Sequence, residues 1–281
     1  MQPNPLVSVI ITTFRRPNFL LKTLKSILSQ TYSNLEIIIV DDGSKDSTEE
    51  IVKSFCDNRI KFFSIRASGR PAVPRNFGLI NATGELIAFC DDDDLWELEK
   101  IAEQVNVFIK HPEIKLCHTN IVIINESDEE LNNKNNKQHF NSNKINFNSQ
   151  LLKNDITFST VMIHKSVLLN GMKFDESLDL KASEDYLFLT NIVYFYPINY
   201  IGKKLVKYRI HKNGISYSYD STKKLLLYYY RTIICMYKFF ELKQISLLKF
   251  LFLVKFHFIH VIKQVLFSYY YKLKKYWSVN V

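Results

Sequence analysis

Residues 35–44 read LEIIIVDDGS. An apolar run rich in β-branched side chains, Leu35–Val40, stops at an Asp-Asp-Gly-Ser turn signal. That is the pattern of a strand buried on both faces. Upstream, LVSVIITTF at 6–14 repeats it. Downstream, Ile60–Ile65 and LIAFC at 86–90 do so again, and the last of these runs straight into Asp91-Asp92-Asp93-Asp94. The intervening segments have helical spacing. Pro17 suits a first helical turn, and Leu20, Leu24, Ile27, Leu28 and Thr31 recur behind it. Asp46-Ser47-Thr48-Glu49 reads as a capping box, with Ile51, Val52 and Phe55 turned inward. Pro74–Asn81 reads as a short helix stopped near Gly84. Strand and helix alternate from the start, which predicts an α/β fold: a Rossmann-like open, mainly parallel sheet with helices on both faces. Ligands of such sheets bind beyond the carboxyl ends of the strands. The Asp41/Asp42 pair and the Asp91–Asp94 run each lie just past such an end, so two distant acidic clusters are predicted to meet on one edge.

The second half is less regular. Leu95–Ile109 has helical character, Phe158–His164 reads as a strand, Ser183–Tyr196 as a helix and Leu205–Ile210 as a strand. Glu126–Ser149, rich in Asn, Lys and Ser, reads as a long surface loop or disordered insert. No internal repeat is apparent. The 281 residues are 47% hydrophobic and 23% charged, which excludes collagenous, disordered and disulfide-scaffold classes. Cys56, Cys90, Cys117 and Cys235 show no C-x-x-C spacing, so they are expected to be buried small hydrophobes in a reducing compartment. The N-terminus, MQPNPL, has no secretory pattern. The longest uncharged stretch, Tyr186–Gly202, contains Asn191, Pro197 and Asn199 and is shorter than the ~20 residues of a membrane span.

Four consecutive carboxylates after a buried strand repel one another unless a cation or a dense set of donors compensates. Such oxygens suit Mg²⁺ or Mn²⁺ holding substrate phosphates. A solvated helix N-terminus, with Asp94 as its cap, would also explain them. The ordered context favours the metal. PLVSVIITTF at 5–14, LKSILSQTYSNLEIIIVDDGSKDST at 24–48, Pro74-Arg75-Asn76-Phe77-Gly78, GELIAFCDDDDLW at 84–96, Ser183-Glu184-Asp185 and YRIHKNGIS at 208–216 occur in order. This set resembles glycosyltransferase family 2, enzymes of the GT-A fold that move a sugar from a nucleotide diphosphate to an acceptor. The resemblance covers about residues 5–216.

The resemblance implies roles. Thr12 and Phe14 line the base and ribose pocket, although the family often has Tyr at the second position. Asp42 accepts a hydrogen bond from the base with Asp41 beside it, and Arg75 lies against the nucleotide. Asp91 and Asp93 form a D-x-D pair: Asp91 faces ribose and donor sugar, and Asp93 ligates Mn²⁺ or Mg²⁺. Asp92 fills the variable position beside the nucleotide-sugar. His211 approaches the metal or diphosphate from the other side, and Asp185 is the catalytic base. The chemistry is coherent. Neutralising the diphosphate makes it a good leaving group, and a positioned carboxylate takes the acceptor's proton. One in-line displacement inverts the anomeric centre. Each residue also has a plainer reading: Asp185 as first-turn stabiliser, His211 as a surface histidine, Arg75 as an exposed ion pair, and Asp41/Asp42 as turn formers.

Charge is distributed unevenly. The chain has a net charge of +9, yet residues 203–281 hold 14 Lys and 2 Arg against Asp220 and Glu241, a net +14 that leaves −5 elsewhere. A basic tail on an acidic body suggests an anionic partner. On a helix over Ser246–Phe267, Ser246, Lys249, Lys255, His257, His260, Lys263 and Gln264 fall on one side, and Leu251, Val254, Phe258, Val261 and Val265 on the other. With the aromatic and cationic cluster Tyr269–Trp277, these C-terminal basic amphipathic helices are expected to dock on an anionic membrane surface. Packing on the catalytic domain or a dimer contact is the alternative. Nucleic acid is disfavoured, since no recognition motif accompanies the charge.

Three divisions are expected: 1–100, a nucleotide-sugar-binding half; 101–217, an acceptor-binding half carrying the 126–149 insert; and 218–281, the helical extension. The expected function is an inverting transferase using a nucleotide-sugar, foremost a UDP-sugar. Its acceptor would be a saccharide, lipid-linked, in the synthesis of O-antigen, capsule or lipooligosaccharide, on the cytoplasmic face of the inner membrane. A nucleotidyltransferase would want a Gly-rich loop where Thr-Thr-Phe-Arg-Arg-Pro stands, and a dehydrogenase would want G-x-G-x-x-G. A catalytically inactive nucleotide-binding or scaffolding protein on this fold would have lost the acidic run, the base or the histidine.

Overall fold

The computed structural model describes residues 4–131, 145–152, 154–212, 214, 222–242, 244–256, 258, 259 and 262. Met1–His211 forms one compact unit and Lys212–Val281 another.

The first unit is built on an eight-stranded sheet. Its parallel half has β1 (Val7–Thr13) between β2 (Leu35–Asp41) and β4 (Leu86–Asp91), with β3 (Ile60–Ser64) outside β2. All four expected strands form. Register sets Thr13 opposite Asp41 and Thr12 opposite Asp91. Both acidic clusters therefore leave the sheet at one edge, as the alternation predicts. Period-2 packing divides the core. Val7, Val9 and Ile11 face a cluster with Leu20, Leu24 and Ile27 of α1 (Pro17–Leu28) and Ile101, Val105 and Phe108 of α4 (Lys100–Lys110). Ile10, Ile38 and Phe89 face the other side, with Leu79 of α3 (Ala72–Asn81) and Phe188 and Ile192 of α6 (Glu184–Phe195). Helices thus cover both faces. Helix α3 lies so close to β1 that a Cβ on Gly78 would stand 2.6 Å from Ile10 Cγ2.

The other half of the sheet is mixed and departs from the sequence reading. β7 (Met162–His164) joins β4 and β6 (Leu116–Ile124) antiparallel. β8 (Ile198–Arg209) runs parallel to β6, and β5 (Leu95–Trp96) closes the far edge antiparallel to β8. β6 was not foreseen: its LCHTNIVII sequence is polar in the middle, and irregularities on both sides of Asn120 break the alternation. The expected strand Phe158–His164 begins instead as a 3₁₀ turn, Phe158–Thr160. β8 starts at Ile198, well before Leu205, through exposed Gly202-Lys203-Lys204. The expected helix from Leu95 starts at Lys100, because Trp96 is tied down as a strand residue with its Nε1 donating to Ser159 O at 3.0 Å. Asp94 is therefore no helix cap. The capping box at 46–49 does not form either. Asp46 Oδ1 accepts from the Thr48 amide (3.0 Å) and hydroxyl (2.5 Å), while Ser47 makes no side-chain cap ahead of α2 (Thr48–Ser54). In the expected insert, Asn125–Leu131 is a tight turn and α5 (Phe147–Leu152) is helical; 132–144 lie outside the described residues. Cys90, Cys117 and Cys235 are buried as expected, but Cys56 is exposed.

The second unit contains α7 (Thr222–Glu241) and a further helical stretch at 247–256. Phe250 stacks on Phe240, with ring centroids 5.3 Å apart, and Leu253 is buried. Leu247, Leu248, Leu251, Phe252, Phe256 and Phe258 are exposed. The exposed apolar band is wider than the expected one, which named only Leu251 and Phe258 among these. Val254 is half-buried. His257, His260, Val261, Lys263, Gln264, Val265 and the cluster Tyr269–Trp277 lie outside the described residues. Among the described residues no helix is long and apolar enough to cross a membrane.

Candidate active site

The ends of β2 and β4 deliver the carboxylates, the end of β1 brings Thr13 and Arg16 to meet them, and each carboxylate has found its own solution to charge. Gly43, at φ +79, lets the chain turn after β2. Asp41 accepts from the Ser44 amide (3.0 and 3.1 Å) and the Ser64 hydroxyl (3.2 Å). Asp42 accepts from the amides of Ser68 (2.8 Å) and Gly69 (3.0 Å), while its own amide donates to Thr13 O at 2.9 Å. Asp41 thus secures the turn, and Asp42 ties the loop at 67–69 to the end of β1. Thr12 is half-buried at the strand end, and Phe14 is 43% exposed with Arg15 stacked on it at 4.8 Å.

Arg75 is the central cation. It is buried, with Nη2 3.0 Å from Asp91 Oδ1 and Nη1 2.6 Å from Glu184 Oε1. Its guanidinium lies 4.0 Å from the ring centroid of Phe158, with Phe174 on the same cluster at 5.7 Å. One side chain therefore joins α3, the end of β4 and the start of α6. Burial pushes the Asp91 carboxyl up and Arg75 pulls it back, while Asp93 and Asp185 are close enough to push it up again. Asp185, half-buried in the first turn of α6, accepts from the Tyr186 amide at 2.8 Å. Asp91, Asp185, Glu184 and Arg75 form one electrostatic group.

The rest of the acidic run diverges. Asp92 is buried, and its carboxylate is occupied by the Thr13 hydroxyl (2.7 Å) and Arg16 Nη1 (3.1 Å). Burial, then Asp93, push Asp92 up to about 7. It reinforces the strand ends where the resemblance placed it beside the nucleotide. Asp94 is fully buried: its Oδ1 accepts from the Arg209 amide at 2.9 Å, and burial holds its carboxyl well above the usual range. Asp93 keeps its carboxylate at the edge. Its Oδ2 meets His211 Nε2 at 2.9 Å and Arg16 Nη1 at 2.7 Å, and its backbone oxygen accepts from Arg209 Nε at 2.7 Å. His211 is buried with its ring 4.7 Å from that of Phe19, and its Nδ1 has no hydrogen-bond partner among the described residues.

A carboxylate oxygen and an imidazole nitrogen 2.9 Å apart form a donor pair suited to Mn²⁺ or Mg²⁺, with phosphate and water completing the shell. Asp93 and His211 therefore fit the implied ion. No cluster of three or more His, Cys, Asp or Glu ligands occurs among the described residues, so the protein would supply the smaller part of the shell.

Three residues that position this edge were not singled out in the sequence. Arg16, in TTFRRP, and Glu184, in Ser183-Glu184-Asp185, carry no signal of their own in the sequence. Arg209 was quoted in Y-R-I-H only as context for His211, yet it also holds Asn125 O at 2.8 Å and Asp128 Oδ1 at 2.5 Å. Lone basic residues beside a motif carry little signal until their partners, here more than 70 positions away, are known.

Residues 8–170 match Glycosyl transferase family 2. The chain belongs to that family. A relative from Escherichia coli, UDP-Glc:alpha-D-GlcNAc-diphosphoundecaprenol beta-1,3-glucosyltransferase WfgD, is 32% identical over 213 residues, 75% of this chain and 79% of that protein. An uncharacterized glycosyltransferase of Rickettsia conorii is 43% identical over 122 residues, 43% of this chain and 20% of the relative. This chain thus aligns with only about a fifth of that Rickettsia protein. Among solved structures, S. aureus TarS 1–349 in complex with UDP-GlcNAc superposes with a TM-score of 0.65 at 21% identity, covering 82% of this chain and 66% of that one. The mannosyltransferase PcManGT of Pyrobaculum calidifontis, in complex with GDP-Man and Mn²⁺, gives 0.63 at 17% identity, covering 85% and 65%. Glycosyl transferase family 2 enzymes of this kind have the GT-A fold, and the mixed, mostly parallel sheet described above is that fold.

Proposed function

We propose that the chain is an inverting, divalent-metal-dependent glycosyltransferase that moves a sugar from a UDP-sugar to a hydroxyl of a lipid-linked saccharide, in synthesis of a bacterial-type surface polysaccharide. The carrying observation is the convergence, on one sheet edge of a family 2 chain, of Asp42, Asp91 with Arg75, the Asp93–His211 pair and Asp185. Relatives that act on GlcNAc-diphosphoundecaprenol support the acceptor class.

In this reading Thr12, Phe14 and Asp42 receive the base and ribose, and Asp91, oriented by Arg75, faces the ribose and donor sugar. Asp93 and His211 hold the ion, which would supply Lewis-acid charge to the leaving diphosphate. Asp185 takes the acceptor's hydroxyl proton as the oxygen attacks the anomeric carbon and the bond to the diphosphate breaks. One carboxylate on the face opposite the leaving group suffices, and the product is inverted. The exposed apolar band of the second unit, flanked by Lys249 and Lys255, supports a peripheral position on an anionic cytoplasmic membrane face, where such an acceptor resides.

The test is UDP release from UDP-glucose, with a GlcNAc-diphospho-lipid acceptor, with and without EDTA. Asp185→Asn is expected to keep donor binding and to lower turnover by roughly 10²-fold or more. Asp93→Ala is expected to lose Mn²⁺-dependent donor binding. Retained turnover in Asp185→Asn removes the base assignment. UDP binding without turnover of any donor tried would favour the inactive binding protein instead.

A further inference from the structure

The acidic run at 91–94 has two guanidinium counter-charges: Asp91 has Arg75, and Asp92 and Asp93 share Arg16, while Asp94 Oδ1 accepts from the Arg209 amide. Arg16 stands just ahead of α1, three-quarters buried, with a single nitrogen, Nη1, 3.1 Å from Asp92 Oδ1 and 2.7 Å from Asp93 Oδ2. That Asp93 oxygen is the one that meets His211 Nε2. An ion held between that oxygen and His211 would therefore share it with a guanidinium. Two cations on one carboxylate oxygen repel strongly in a site this buried.

We propose that Arg16 is a resident counter-cation that a divalent ion has to displace from Asp93, so that the ion binds well only together with the nucleotide diphosphate, which takes over the released guanidinium. The inference rests on the donor-site reading above. The exchange is chemically balanced. Asp93 trades a guanidinium for the ion, and Arg16 trades one carboxylate for phosphate oxygens, which its planar fork suits better than a lysine ammonium would. Its second contact, on Asp92, keeps it at the site during the trade. Metal and nucleotide then assist each other by the same factor in either order of binding, as linkage requires. The bare protein would be spared an unneutralised acidic edge.

The experiment is a titration of Mn²⁺ alone, and of Mn²⁺ with UDP, followed by the electron paramagnetic resonance signal of free Mn²⁺. It is run on the full chain, on Arg16→Gln, on Arg16→Lys and on Arg15→Gln. Arg15 is an exposed neighbour whose guanidinium stacks on Phe14 rather than on the acidic run, so its removal reports on loss of charge alone. Wild-type protein is expected to bind bare Mn²⁺ weakly and to gain by more than about tenfold with UDP. Arg16→Gln is expected to bind bare Mn²⁺ about tenfold more tightly and to gain less from UDP. Arg15→Gln should match wild type on bare Mn²⁺. Equal bare-Mn²⁺ affinity in wild type and Arg16→Gln overturns the proposal, and so does an equal rise in Arg15→Gln. If circular dichroism shows that Arg16→Gln has not folded, Arg16→Lys decides: a compact ammonium that holds only one carboxylate should give an intermediate rise, and no rise overturns the proposal. Mn²⁺ binding in no variant, even with UDP, removes the donor-site reading as well. UDP-linked binding that Arg16→Gln leaves untouched removes Arg16 alone.

Discussion

Arg75 shows why a single guanidinium matters more to this edge than any one carboxylate. Glu184 is buried, and its charge there is offset chiefly by Arg75 Nη1, 2.6 Å away, with the Ser183 amide donating to Oε2 at 3.1 Å. Breaking a buried pair from one side leaves an uncompensated charge, at about 3–5 kcal/mol. Arg75→Ala should therefore lower the melting temperature by several degrees and also release Asp91. Arg75→Lys should fail to rescue, because a point charge cannot hold Asp91 and Glu184 at once while stacking on Phe158. The informative measurement is the double variant Arg75→Ala/Glu184→Ala. Removing both charges should recover part of the stability lost in Arg75→Ala, since the unpaired carboxylate is gone. Additive losses in that cycle would mean that the pair carries no coupling and that the site is held by packing alone.

At the scale of elements, the parallel half of the sheet is pinned at the end opposite the candidate site by Glu36. This β2 side chain accepts from the Ser8 hydroxyl on β1, from the Thr83 amide (2.6 Å) and hydroxyl (2.9 Å) and the Gly84 amide (3.1 Å) before β4, and from Lys61 Nζ on β3 (2.7 Å). Four strands are thus keyed by one carboxylate. Burial pushes it up, but Lys61, Ser8 and Thr83 prevail and bring it down to about 2, from an ordinary 4.5. A carboxyl held low when folded contributes stability that is complete above the unfolded value and is lost as pH falls through the folded one. Between about pH 4.5 and 2 the wild type should lose on the order of 2 kcal/mol from this group, after allowance for the half-exposed Lys61 partner. Glu36→Gln should start less stable at pH 7 and show a shallower decline across that window in urea unfolding. An identical decline would assign the acid sensitivity elsewhere.

The same elements show what one-dimensional patterns carry. The four buried strands and the helices between them were legible because a strand covered on both faces must be continuously apolar, and α1 must repeat its apolar positions under Val9 and Ile11. The edge on which Asp41, Asp42 and Asp91 meet followed from topology alone. β6 was not legible, since its bulged centre carries His118, Thr119 and Asn120. Nor was the true start of α4, where Trp96 obeys its bond to Ser159 rather than the local helical pattern. In the site, acidic residues announce themselves as a run, whereas Arg16 and Arg209 gain meaning only from partners far along the chain. The Asp93–His211 contact spans 118 positions and was anticipated only through the ordered family motifs.

For the whole molecule, the uneven charge suits an anionic partner. Residues 203–281 carry a net +14, and the described part of the second unit exposes Leu247, Leu248, Leu251, Phe252, Phe256 and Phe258. An apolar band beside cations fits the interface of an anionic bilayer, where each nearby lysine contributes about 1 kcal/mol and buried apolar area adds to it. The two contributions separate experimentally. The full chain should float with vesicles containing phosphatidylglycerol and sediment away from purely zwitterionic ones. Salt above about 0.5 M should weaken the association strongly, because the Debye length then falls well below 10 Å. Leu248→Asp/Phe252→Asp touches only exposed side chains, so it should leave unfolding unchanged while reducing flotation at every salt concentration. Flotation indifferent to lipid charge and to both substitutions would leave the basic segment without a membrane role, and a concentration-dependent shift in sedimentation would then assign the band to a contact between copies of the chain.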